Sequence, residues 1–188
     1  MRVISGQAKG RRLKAPKGRE LRPTGDRVKE ALFNILPHDL SGQRVLDLFA
    51  GTGNLSLEAL SRGAEEAVLV DISRDAVQVI EENLRALKFA AKSHVLTAPV
   101  FKSMRMLSRK QERFDLIFID PPYDKELVGE TLKAIAAEGL LAESGVVVAE
   151  HSVREKVQER YGALVLTDRR RYGDTQLSFF GRSEEQSA

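Results

Sequence analysis

Phe114-Asp115-Leu116-Ile117-Phe118-Ile119-Asp120-Pro121-Pro122-Tyr123 constrains the fold of this chain more than any other stretch. An apolar run is stopped by an acid, two prolines and an aromatic residue. The run reads as a strand buried on both faces of a parallel sheet. A proline pair cannot continue the ladder, so the chain leaves the sheet at Asp120. In open α/β sheets ligands bind beyond the carboxyl ends of the strands. Asp120, the Pro121 carbonyl and the Tyr123 ring are therefore the candidate catalytic groups. An amine on an aromatic base is a poor nucleophile, because its lone pair is delocalised into the ring. A carboxylate and a carbonyl each accept one of its N–H bonds and turn the lone pair out of plane, while an aromatic face stacks on the base for about 1–3 kcal/mol. A plain strand-ending turn with a solvated Asp and a packed Tyr fits the same ten residues. The rest of the chain has to decide between the two.

Upstream, Arg44-Val45-Leu46-Asp47-Leu48-Phe49 reads as a buried strand, followed by Ala50-Gly51-Thr52-Gly53-Asn54 and an amphipathic helix through Leu55, Leu57 and Leu60. Strand, glycine turn and helix open a doubly wound α/β domain. Ala67-Val68-Leu69-Val70-Asp71 is the second strand. Its terminal acid falls about 20 residues beyond the glycine turn, where a carboxylate meets ribose hydroxyls. Ser73 supplies the N-cap of the next helix and leaves Asp71 for that role. His94-Val95-Leu96-Thr97 makes a third strand, the Phe114 run a fourth, and Gly145-Val146-Val147-Val148-Ala149-Glu150 a fifth. Helices are expected over 127–137 with Asp124 as cap, and through Val153, Val157 and Tyr161. The two last strands, 163–166 and 176–180, are joined through Arg169-Arg170-Arg171-Tyr172-Gly173-Asp174; too short for a crossover, this connection makes them antiparallel. The same reading sets the arginines in the connection, beside Asp120.

The chain has 188 residues, enough for one domain with a small appendage. Residues 1–22 are read as a basic hairpin arm, 23–182 as the main domain and 183–188 as a loose tail. Cysteine is absent and the three histidines are scattered, so neither a disulfide scaffold nor a metal site is expected. No apolar run suits a membrane span or a signal segment, and a cytoplasmic location without membrane contact follows. Net charge is only +3. Its distribution is uneven: Lys9, Arg11, Arg12, Lys14, Lys17, Arg19 and Arg22 crowd the N-terminus. Clustered cations suit a phosphate-rich partner. Between arm and core, Thr24 or Asp26 is the expected cap of a helix carrying Val28, Ala31, Leu32, Ile35 and Leu36 and ended by Pro37.

A nicotinamide or flavin oxidoreductase would prefer a third Gly or Ala where this chain has Ser56, and it leaves Asp120 without a job. A methyltransferase using S-adenosylmethionine gives every piece one: Asp47 and the glycine backbone for the methionine portion, Asp71 for the ribose, Asp120 for the acceptor. The antiparallel last strand resembles the class I methyltransferase (Rossmann-like) sheet of seven strands, order 3-2-1-4-5-7-6. Arg2-Val3-Ile4-Ser5-Gly6, Lys9-Gly10-Arg11-Arg12-Leu13, Arg22-Pro23-Thr24, Asp26-Arg27-Val28-Lys29-Glu30-Ala31-Leu32-Phe33-Asn34, Asp47-Leu48-Phe49-Ala50-Gly51, Asp120-Pro121-Pro122-Tyr123 and Arg171-Tyr172-Gly173-Asp174-Thr175 occur in sequence. Together they resemble the RsmD family, which methylates the exocyclic N2 of a guanine in bacterial 16S ribosomal RNA.

The resemblance implies action on ribosomal RNA, in the small ribosomal subunit or its assembly intermediate, and a monomer is expected. It implies a cofactor site drawn from Thr24, Asp47, Ala50, Gly51, Gly53, Asn54, Asp71, Ile72 and Val100, with residues 22–34 closing over it. It also implies an RNA face of Lys9, Arg11, Arg12, Lys14, Arg22, Arg27, Arg170 and Arg171. The turn after the third strand, Thr97-Ala98-Pro99-Val100, lacks the acidic or amide side chain that many such enzymes turn toward adenine. DNA adenine-N6 methyltransferases share the Asp-Pro-Pro-Tyr site but usually carry a separate recognition segment, and protein amide methyltransferases more often have Asn at 120. A non-catalytic RNA-binding module has no use for Asp47, Asp71 and Asp120 at successive strand ends.

Overall fold

The computed structural model describes residues 1–15, 23–122 and 127–183, leaving aside the side chains of residues 23 and 24. The described residues form a mixed sheet of eight strands, and the chain divides into two compact units, Met1–Val100 and Phe101–Ala188.

The first unit runs α1 (Pro23–Ile35), β1 (Arg44–Asp47), α2 (Asn54–Ser61), β2 (Glu66–Asp71), α3 (Arg74–Ala86) and β3 (Ser93–Thr97). Its strands lie parallel in the order β3-β2-β1. Val45, Leu46, Ala67, Leu69 and Val70 are fully buried, as are Leu57 and Leu60 of α2 and Ile80 of α3. That is the pattern of a sheet covered by amphipathic helices. Ser73 caps α3 as expected, its side chain accepting from Ala76 N at 3.3 Å. α1 starts earlier than expected, at Pro23, so neither Thr24 nor Asp26 is its cap. Proline suits the first helical position because its missing N–H has no partner there anyway. The N-terminal arm closes through one antiparallel bridge, Arg2 to Arg12, with no strand on either side.

The second unit contains β4 (Phe114–Ile119), α5 (Leu127–Glu138), β5 (Leu141–Ser152), β6 (Arg160–Tyr161), β7 (Leu164–Tyr172) and β8 (Thr175–Arg182). α4 (Val100–Arg109) leads into it. β5 is parallel to β4, and the remaining pairings are antiparallel in the order β5-β8-β7-β6. The last strand is thus antiparallel to β5, as the short connection required.

Three sequence expectations are corrected here. The sheet has eight strands rather than seven, because the two residues of β6 add an edge. The helix expected through Val153, Val157 and Tyr161 does not form. Val153 N donates to Asp174 O, the Val157 carbonyl accepts from Arg169 Nη2, and the Tyr161 ring packs edge-on against Phe180 at 5.9 Å. These residues are therefore anchored to separate elements. Finally, the arginine run belongs to β7 itself, and the turn is only Gly173-Asp174. Among the described residues, no helix is long and apolar enough to cross a membrane.

Candidate active site

Asp47 is the last residue of β1 and Asp71 the last of β2, so β-strand geometry delivers both acids to one end of the first unit's sheet. Between them runs the turn 50–53, shaped by two left-handed glycines, Gly51 (φ 57°) and Gly53 (φ 76°). Gly53 N donates to the Ala50 carbonyl at 2.7 Å, and Ala50 N to Val70 O at 3.0 Å. A Cβ on Gly53 would press on Leu69 and Leu57 at 3.3 and 3.4 Å. A Cβ built on Gly51 would come no nearer than 3.9 Å to the Phe49 carbonyl oxygen, so the turn is uncrowded on that side.

The two carboxylates differ in environment. Asp47 is 2% exposed. Burial pushes its pKa up to about 7, against the lowering effect of the Ser56 hydroxyl and main-chain N–H and the Phe49 N–H; the Asp71 charge adds to the rise. Ser56 Oγ donates to Asp47 Oδ2 at 2.9 Å. α2 has no side-chain cap of its own, since Gly53 occupies that position. Asp47 supplies part of the missing acceptor from the neighbouring strand. Asp71 is half-buried and ties the turn to α3: Gly51 N donates to its Oδ2 and Ser73 N to its Oδ1, both at 2.8 Å. Ile72 follows with 70% of its surface exposed, an apolar face beside a carboxylate.

This arrangement fits a nucleoside cofactor carrying a cation. A buried acid with a raised pKa gains most from a positive partner, the Asp71 carboxylate keeps lone pairs for hydroxyls, and Ile72 offers a surface for a flat base. Asn54 begins α2 beside the turn, and its Oδ1 accepts from Lys29 Nζ at 2.7 Å. Thr24 lies in the first turn of α1, and Val100 starts α4 with a buried side chain.

In the second unit Asp120 directly follows β4 and is exposed, and Pro121 is buried behind it. Tyr123 and the proposed cap Asp124 lie outside the described residues, as does Arg22. The register places Ile119, Ala149, Ser178 and Arg169 in one row across β4, β5, β8 and β7. Arg170 and Arg171 therefore share the sheet end of Asp120, but stand three strands away, roughly 14 Å at ordinary strand spacing, rather than beside it. Arg170 pairs with Asp168 at 2.8 Å and Arg171 Nε donates to Gly173 O at 2.9 Å. On the arm, Lys14 pairs with Glu82 and Arg11 donates to the last carbonyl of α3, Ala86 O, at 3.2 Å. Lys9, Arg12 and, on α1, Arg27 are exposed.

Sequence reasoning missed a buried charged cluster. Glu58, fully buried, accepts from Ile4 N (2.7 Å), Ser5 N (3.0 Å) and Arg62 Nε (3.0 Å), with Lys29 Nζ 3.5 Å away. Arg62 stacks on the Phe33 ring at 4.8 Å and donates to the Phe33 carbonyl. Desolvation lowers the Lys29 pKa, with Glu58 and Asp26 resisting. The visible signal was Glu58 and Arg62 at i, i+4 inside an apolar helix.

A family model described as Conserved hypothetical protein 95 matches residues 1–181. YlbH of Bacillus subtilis is 39% identical over 96% of this chain and 98% of its own length. Ribosomal RNA small subunit methyltransferase D of Escherichia coli K12 is 39% identical over 81% of this chain and 75% of its own. Among solved structures, the methyltransferase yhhF of Escherichia coli superposes with a TM-score of 0.85 at 29% identity, covering 98% of this chain and 99% of that one. The α/β sheet, with its acids at the strand ends and glycines in the first turn, is thus that of a methyltransferase, and the chain belongs to the RsmD family.

Proposed function

We propose that this protein transfers a methyl group from S-adenosylmethionine to the exocyclic N2 amine of a guanine in small-subunit ribosomal RNA. One observation carries the reading: the Asp71 carboxylate is bonded to the Gly51 amide at 2.8 Å beside the exposed Ile72, in a chain 39% identical to a small-subunit rRNA methyltransferase.

In this reading Asp71 accepts from the ribose hydroxyls, Ile72 lies against the adenine, and the amides of the 51–53 turn line the methionine portion. Asp47 faces the amino-acid ammonium, whose charge draws its pKa back down. The bound cofactor supplies a methyl already made electrophilic by sulfonium, so the protein need not create a strong nucleophile. Asp120 and the Pro121 carbonyl each accept one N–H of the guanine amine and aim its lone pair, with Tyr123 stacking on the base. Catalysis is then mostly positioning. A base that starts out paired must first leave its stack, at a cost of a few kcal/mol. Lys9, Arg12 and Arg27 are the outward cations for phosphate contact.

The test supplies methyl-labelled cofactor with naked 16S rRNA, assembled small subunits, duplex DNA or bulk protein. Label in guanine N2 of the rRNA is the expected result, and label only in DNA or protein defeats the proposal. Asp120→Ala should abolish turnover while S-adenosylhomocysteine still binds; equal loss of both assigns the acid a structural role.

A further inference from the structure

The glycine turn is held from outside as well as from the sheet. On one flank Asn83, 2% exposed, donates from Nδ2 to the Thr52 carbonyl at 3.2 Å and to the Lys14 carbonyl at 3.1 Å, while its Oδ1 accepts from Lys14 N at 2.8 Å. On the other flank Lys29 Nζ donates to Asn54 Oδ1 at 2.7 Å and to the Arg2 carbonyl at 2.6 Å. Each side chain thus joins the turn to the N-terminal arm, one at residue 2 and the other at residue 14. Thr52 Oγ1 adds a contact to Met1 Sδ at 3.5 Å.

The arm is in turn seated on α2. Glu58 holds the Ile4 and Ser5 amides; Ser61 Oγ accepts from Ala8 N at 2.9 Å and donates to Ser5 O at 2.5 Å; Gln7 N donates to Ser61 O at 2.8 Å. Gly6, at φ +78°, lies so close that a Cβ there would stand 1.8 Å from the Ser61 carbonyl oxygen. A buried network of this kind is costly when half-made, so the arm is either seated with its bonds complete or displaced with most of them lost.

We propose that Lys29 and Asn83 are positioning residues that transmit the seating of the arm to the 51–54 turn, so that the arm sets the affinity for the cofactor. This rests on the reading that the turn binds S-adenosylmethionine. The distinguishing feature is distance. Ser61 ends α2 and Asn54 begins it, about 10 Å apart at 1.5 Å per residue, so a change at Gly6 does not touch the turn directly, and K29M and N83A test the arm's two bonded links to it separately from α2.

The experiment titrates S-adenosylhomocysteine into the full-length protein and into Gly6→Ala, Lys29→Met and Asn83→Ala, each well below its melting temperature. G6A forces the arm off Ser61. K29M cuts one link and leaves Glu58 and Arg62 as a neutral pair, so no buried charge is stranded. Faster tryptic cleavage at Lys9 and Arg12 reports that the arm has left its seat. Each variant should lose about tenfold in affinity, a typical coupling between sites. The G6A/K29M double variant should lose no more than G6A alone, because an arm already off its seat no longer uses the Lys29 link. In turnover the KM for cofactor should rise while kcat at saturation holds, which general destabilisation would not produce. A G6A protein with a trypsin-labile arm and wild-type affinity overturns the proposal; so do unchanged affinities in both K29M and N83A, which decide the matter if G6A does not fold. Failure of the wild type to bind S-adenosylhomocysteine sinks the methyltransferase reading itself, whereas wild-type binding with no effect of the variants sinks only the coupling.

Discussion

At Asp47 the fold holds a carboxyl where burial disfavours its charge. Its carboxyl ionises near 3.8 when unperturbed and at about 7 in the fold, chiefly because burial penalises the charge. Between those values the folded protein holds a proton that the unfolded chain has released. Stability therefore falls as pH rises through this window and is level above it, by at most about 4 kcal/mol. Asp47→Asn keeps an acceptor for the Ser56 hydroxyl and removes the titration. Without ligand it should melt above the wild type at pH 8 and converge with it near pH 4, as thermal melts across that range will read out. On the proposed reading of the site, the same variant should bind S-adenosylhomocysteine more weakly, since the ligand ammonium would lose its counter-charge. A difference between wild type and D47N that does not change with pH would mean the carboxyl titrates normally.

Among the elements, β5 shows how local geometry decides a strand. Its register against β4 shifts between Phe114 and Leu116, where Leu141 and Val146 are the successive partners. Gly145 fills the irregularity: a Cβ there would lie 3.0 and 3.1 Å from the Phe114 and Asp115 carbonyl oxygens. Gly145→Ala should destabilise by about 1–3 kcal/mol, the usual cost of overpacking, seen as a lower urea midpoint; an unchanged midpoint would mean that β4 gives way freely. The sequence showed the inner part of this strand, because Val146, Val147 and Val148 are continuously apolar, but not residues 141–144, where Glu143 and Ser144 carry no strand signal. The cap at Ser73 was equally legible, since capping is a local affair. What the chain does around Tyr161 was not. Its apolar spacing imitates a helix, and only bonds to distant elements, such as Arg169 to the Val157 carbonyl, select the extended path.

For the molecule as a whole, the acids at strand ends were legible because sheet topology dictates where such residues emerge. The clamps at Asn83 and Lys29 were not, because their partners lie far off in sequence. The cations differ in a way composition does not reveal: all four of Lys9, Arg11, Arg12 and Lys14 are exposed, but Lys14 and Arg11 also reach α3, at Glu82 and the Ala86 carbonyl. Replacing Lys9 and Arg12 together by Gln should weaken RNA binding at all sequences and lower the slope of log affinity against log salt by about 1.4–1.8, as expected for two lost phosphate contacts. An unchanged slope would place the RNA elsewhere. The seating of the arm also has a consequence for biosynthesis. Residues 4, 8, 11 and 14 find their partners 53 to 75 positions further along. At about 5–20 residues per second, the nascent segment waits several seconds for α2 and α3 to be synthesised, and until then the amides that Glu58, Ser61 and Asn83 will hold must be satisfied by water.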